Sequence, residues 1–133
     1  MTKWEQFDME RKVIEVLSMA ALNNQHHFLR SFLTPYQIAI ELTRRHPTLC
    51  GDLGKELGGA GTDSQHSLTQ YIAHRLSAQI KKKRDSGDIE NIEGAFIANM
   101  HLTDLVFKDS RGHEVHSSNT DKDALSMFRL KQS

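Results

Sequence analysis

Apolar residues recur at three- and four-residue spacing along the first part of the chain: Phe7, Val13, Ile14, Val16, Leu17, Ala20 and Ala21. Glu5, Arg11, Lys12 and Glu15 fill much of the other side. The pattern predicts an amphipathic helix from about Trp4 to Asn23, interrupted by Asn23-Asn24. A shorter apolar patch follows at Phe28, Leu29, Phe32 and Leu33. Thr34 then offers an N-cap and Pro35 a first helical residue whose missing N–H costs nothing. The segment TPYQIAIELTRR carries Ile38, Ala39 and Leu42 on one face and stops before Pro47. Leu49, Leu53 and Leu57 predict a brief helix over LCGDLGKEL, and the glycines of GGAGT (58 to 62) a turn.

The next helix is expected from about Asp63 or Ser64 to Arg84, ended by DSGD (85 to 88). Leu68, Ile72, Leu76 and Ile80 form its core row, while Ser67, Gln70, His74, Ser77 and Lys81 spell the other side. Beyond it, a hairpin is expected with Gly94 in the turn between Asp88–Glu93 and Phe96–Thr103. Phe96, Ile97 and Met100 would equally line a helix. LVFKDSRGHEV suggests a second hairpin around Asp109–Gly112. SSNTDKD (117 to 123) has the composition of a loop, and ALSMFRLK suits a final strand or a short helix.

Composition narrows the class without changing these elements. At 133 residues the chain suits one domain (1–133), and 38% hydrophobic residues lift it well above a disordered composition. No run of eighteen apolar residues exists, so no membrane partner is expected. The charge-alternating start MTKWEQFDMERK is unlike a signal peptide, and a single cysteine, Cys50, suits a reducing compartment. A cytoplasmic location is the expectation.

The chemistry-bearing side chains form no catalytic set. His26-His27 are adjacent and cannot face one point on a helix. His113 and His116 fall short of the three or four ligands of a zinc site, and Pro47 separates His46 from Cys50. GGAG lacks the Lys-Ser/Thr that follows in a phosphate-binding loop. The Glu90/Glu93 and Asp121/Asp123 pairs have no partnering base. The expectation is therefore no enzyme, no metal and no cofactor.

Charge is the informative exception. Residues 67 to 84, SLTQYIAHRLSAQIKKKR, hold five basic side chains and no acid. The whole chain has 17 Lys+Arg and 17 Asp+Glu, so the other 115 residues sum to −5. A basic last turn also complements a helix dipole, so the run alone does not decide between a solvated face and a phosphate-binding one.

Its setting says more. In order, LTPYQIAIELTRRHP, LCGDLGKELGG, SLTQYIAHRLSAQIKKK and GDIENIEGAFIANMHLTD resemble a winged helix-turn-helix domain. The wording is most similar to MarR-type transcriptional regulators, including the opening "LTP" plus Gln and the closing Leu102-Thr103. The resemblance covers residues 33–103. It implies an α+β, mainly helical fold: three helices plus a β-hairpin wing, with an extra N-terminal helical extension (1–32) and a C-terminal hairpin or tail (104–133). It further implies duplex DNA as partner, with helix 64–84 in the major groove. Ser67, Thr69, Gln70 and His74 would lie near base edges, Gln70 being chemically best suited to adenine. Arg75, Lys81, Lys82, Lys83 and Arg84 would meet phosphates, giving a log–log salt slope of about −4 to −5. The turn at 58 to 65 is longer than a tight helix-turn-helix connection. Residues 104–133 lack the long helices that complete a MarR-type dimer, so a homodimer is expected through the N-terminal helix. The alternative is a winged-helix or small α+β module that binds a protein partner and no DNA.

Overall fold

A computed structural model describes residues 1–20, 30–59, 67–117 and 125–131. The expected breaks at Asn23-Asn24 and at 60 to 62, the patch at Phe28 and Leu29, His26-His27, and most of the 117 to 123 loop lie outside the described residues. The N-terminal pattern divides into two helices, α1 (Lys3–Gln6) and α2 (Met9–Ser18). The break is Asp8, in the left-handed region at φ 53° and ψ 45°, a conformation Asp tolerates better than most residues. Its carboxylate accepts from Arg11 Nε at 2.6 Å. This bend turns Trp4 of α1 and Met9, Val13, Val16 and Leu17 of α2 into one core, each 5% exposed or less. Of the stripe expected to pair with a second copy, Val13, Val16 and Leu17 are buried in the chain's own core, while Phe7 and Ile14 are partly buried against it.

Helix α3 (Pro35–Arg45) starts as the sequence indicates. Thr34 Oγ1 accepts from the Gln37 amide, and the Thr34 amide donates to Gln37 Oε1 at 2.8 Å, a reciprocal cap. Ile38, Ala39 and Leu42 are fully buried. On the outer side Glu41 takes Arg44 and Arg45 through bonds of 2.6 to 2.9 Å. The Arg44 bond, with help from Arg45, holds the Glu41 carboxyl down at about 2 against an ordinary 4.5. A depressed carboxylate stabilises the fold above its unfolded pKa and loses that contribution as pH falls through the folded one. Full linkage would be about 3 kcal/mol; with Arg44 half in solvent, about 1 kcal/mol is expected. Glu41→Gln should therefore lower stability at neutral pH, and denaturant midpoints of the two chains should converge between pH 4.5 and about 2.

Helix α4 (Leu49–Leu53) stops at Gly54, four residues short of the expected Leu57, because Gly54 takes a left-handed turn at φ 68°. Leu49 and Leu53 still reach the core. Gly58 and Gly59 follow at φ 123° and 106°, where a side chain would be strained; a Cβ on Gly59 would lie 2.8 Å from the His116 carbonyl. Helix α5 (Leu68–Ser86) ends on left-handed Gly87. Its row Leu68, Ile72 and Leu76 is fully buried beside α3, with Ile80 partly so.

The sheets depart most from expectation. Residues 92 to 97 form one continuous strand, β1 (Ile92–Ile97), so Gly94 is no turn and no hairpin spans 88 to 103. Neither do Phe96 and Ile97 belong to a helix. The partner of β1 is β4 (Leu125–Leu130), antiparallel in a register that sets Gly94 opposite Phe128. Glycine suits that position because a Cβ there would sit 3.4 Å from the Phe128 ring. On its other edge Phe128 exchanges two 2.8 Å backbone bonds with Leu33. The C-terminal segment is therefore central to the fold and not a tail. The second hairpin forms as expected from β2 (Val106–Lys108) and β3 (Glu114–His116). Asp109 turns it, its carboxylate accepting from the Arg111 and His113 amides at 2.9 and 2.8 Å. Phe107 of β2 stacks on Tyr36 at a centroid separation of 5.1 Å. The result is an α+β fold of five helices and two small antiparallel sheets among the described residues.

Candidate nucleic-acid interface

The N-terminus of α5 is fixed by the segment before it. The Leu68 and Thr69 amides donate to the Glu56 and Leu57 carbonyls at 2.7 and 3.0 Å, and Ser67 Oγ accepts from the Gln70 amide at 3.1 Å. These bonds satisfy amides that would otherwise face solvent or an anion. They also correct two expected base contacts. Ser67 is the N-cap, 3% exposed, and Thr69 is 6% exposed with its hydroxyl donating to the Leu57 carbonyl at 2.7 Å. Neither is available to a groove. Starting the helix at Asp63 or Ser64 placed Ser67 on a helix face, whereas a cap side chain folds back onto its own first turn.

Gln70 and His74 do share the outward side, one turn apart, with Gln70 Nε2 and His74 Nε2 2.7 Å apart. With the amide donating, the imidazole accepts on Nε2 and carries its hydrogen on Nδ1. Exposed Ser77 and Lys81 continue the same row. From Gln70 to Lys81, eleven helical steps, this row is about 16 Å long.

The five cations are distributed unequally. Lys81 Nζ bonds Asp85 at 2.6 Å, and Arg84 lies 3.7 Å from the same carboxylate. Lys83 points inward, 4.0 Å from Glu90, whose side chain is only 6% exposed. Glu90 Oε1 accepts from the Ile92 amide at 2.9 Å, and Oε2 has no hydrogen-bond donor among the described residues. Arg75 lies over the Trp4 ring at 5.3 Å. Lys82 is exposed, and neither it nor Arg75 forms an ion pair with a described carboxylate. The acids that quench the run, Asp85 and Glu90, lie just past the window in which the sequence shows only bases.

One cation escapes a reading by periodicity. Lys55, in the loop after α4, sits 4.7 Å over the ring of Tyr71 on α5, and Tyr71 meets Trp4 edge-on at 5.4 Å. The signal would have been a lysine next to a helix break, which has no distinctive spacing.

The other candidate groups are occupied elsewhere. His116 Nδ1 bonds Asp104 at 2.5 Å, chiefly raising the imidazole's pKa, while His113 lies 3.7 Å from Asp109. The two histidines thus face different carboxylates. Burial lowers the pKa of His46 and raises that of the Cys50 thiol, leaving neither charged form favoured. Among the described residues no group of three or more His, Cys, Asp or Glu is placed to hold a metal, and no helix is long and apolar enough to cross a membrane. Comparison with known proteins finds no matching family model, no matching curated protein and no matching solved structure.

Proposed function

We propose that this chain binds duplex DNA by laying the outward row of α5 in the major groove, as a cytoplasmic transcriptional regulator of winged helix-turn-helix type. The observation that carries the reading is the row Gln70, His74, Ser77 and Lys81, free of the core on a helix whose opposite row is locked into it. A helix fits the major groove, and an amide there is able to donate and accept at an adenine edge. The order of elements supports it too: α3, α4 and α5 precede an antiparallel strand pair, β1 and β4, and a separate β2–β3 hairpin lies in the connection between those strands. No catalytic step is part of this reading.

A salt series on a mixed-sequence DNA duplex tests it. Clear binding is expected at about 50 mM salt, with affinity falling by a log–log slope of about 0.9 for each phosphate engaged. Gln70→Ala should cost about 1–3 kcal/mol on the preferred sequence and little on others. Absence of binding at low salt would reject the proposal. It would favour a protein-binding module instead, for which the exposed Ile89, Phe96 and Met100, 71 to 87% accessible, offer apolar contact area.

A further inference from the structure

We infer that the phosphate-binding surface is a flank made of Lys55, Arg75 and Lys82, and not the neighbouring cations Lys81, Lys83 and Arg84. This rests on the DNA-binding reading and assigns which side of α5 lies against the sugar–phosphate backbone. A cation already held by a carboxylate must give up that partner to take a phosphate, so its net gain is small. Lys81 and Arg84 share Asp85, and Lys83 serves Glu90. Lys55, Arg75 and Lys82 have no such partner among the described residues.

They also fall on one line. Arg75 and Lys82 are seven residues apart, two helical turns, and so share a flank about 10 Å long. Tyr71 lies one turn before Arg75 on the same side, and it carries Lys55 on its ring at 4.7 Å. Trp4 supports both: its ring meets Tyr71 at 5.4 Å and lies under the Arg75 guanidinium at 5.3 Å. A cation resting on an aromatic face keeps its N–H donors outward while its stem loses freedom, so less ordering remains to be done on binding. One acid does reach this flank: Glu10 Oε1 accepts from Gln79 Nε2 at 3.4 Å between Arg75 and Lys82, so three cations face one carboxylate there.

The line is also on the correct side. It adjoins the Gln70–His74 row, as a phosphate strand adjoins the base edges that a groove helix reads. The opposite flank is closed toward its C-terminal end by the sheet, Ile80 reaching within 3.6 Å of a Cβ built on Gly94. One strand of the duplex thus has a cationic edge to follow, and that edge is Lys55, Arg75 and Lys82.

The test compares the wild-type chain with Lys55→Gln, Lys82→Gln and Arg84→Gln on one mixed-sequence duplex over a range of salt. Lys55→Gln and Lys82→Gln should each reduce the log–log slope by about 0.9, a loss of roughly eightfold at about 0.1 M salt. Arg84→Gln should leave the slope unchanged. Thermal melts of the three variants should match the wild type, since none of these side chains fills the core. Wild-type binding with an unaltered slope in Lys55→Gln would overturn the flank while leaving DNA binding intact. Failure of the wild-type chain to bind would remove both.

Discussion

Phe128→Ala is expected to destabilise the fold by about 3–5 kcal/mol, more than any other single truncation in the sheet. Phe128 is 3% exposed and belongs to the same core as Trp4, Leu17, Ile38 and Ile72. It occupies the middle of β4, bonded to Leu33 on one side and set opposite Gly94 on the other. Because Gly94 has no side chain, nothing on β1 moves in to fill the space the ring leaves. The cavity term therefore adds to the lost transfer energy. Equilibrium denaturation checks this, and a midpoint within a few tenths of a kcal/mol of wild type would mean that β4 is a dispensable tail.

That strand also marks where the sequence stopped being legible. Local signals carried through: the Thr34–Gln37 cap, the Leu68/Ile72/Leu76 row, the Gly87 stop and the Asp109–Gly112 turn all depend on residues a few positions apart. Pairing of β1 with β4 depends on residues 28 to 38 positions apart, and LSMFRL carries no mark of which strand it will meet. Gly94 is the sharpest example. In sequence a glycine between two short apolar runs signals a turn, whereas here its absent Cβ makes room for an aromatic ring from the far end of the chain.

The candidate interface divides along the same line. Gln70 and His74 follow from helical period alone, and they lie together on the outer side. Ser67 and Thr69 fail because the helix begins later than its composition suggests, and a shift of the start converts a surface residue into a cap. The basic run shows the limit of counting charge. Its neutralisation depends on Asp85 one turn onward and on Glu90 beyond the Gly87 stop, while the cation that joins the aromatic flank, Lys55, comes from before α5.

Adjacent Lys82 and Lys83 are accordingly expected to behave as opposites. Lys83→Glu should destabilise the fold by about 2–3 kcal/mol, below the roughly 3–5 of a fully buried broken pair because Lys83 is partly in water. The new carboxylate would face Glu90, whose Oε2 has no donor among the described residues and whose Oε1 holds the first amide of β1. Like charges at that distance, with so little water between them, repel strongly. Glu90→Gln removes the repulsion, keeps a carbonyl oxygen for the Ile92 amide and should restore most of the loss in the double variant. Lys82→Glu, exposed and without a described ion-pair partner, should leave the denaturant midpoint within about 0.5 kcal/mol of wild type. On the proposed reading it should instead weaken duplex binding on every sequence. Equal denaturant midpoints for Lys82→Glu and Lys83→Glu would remove the structural role given to Lys83. It would then return to the exposed cations open to a phosphate.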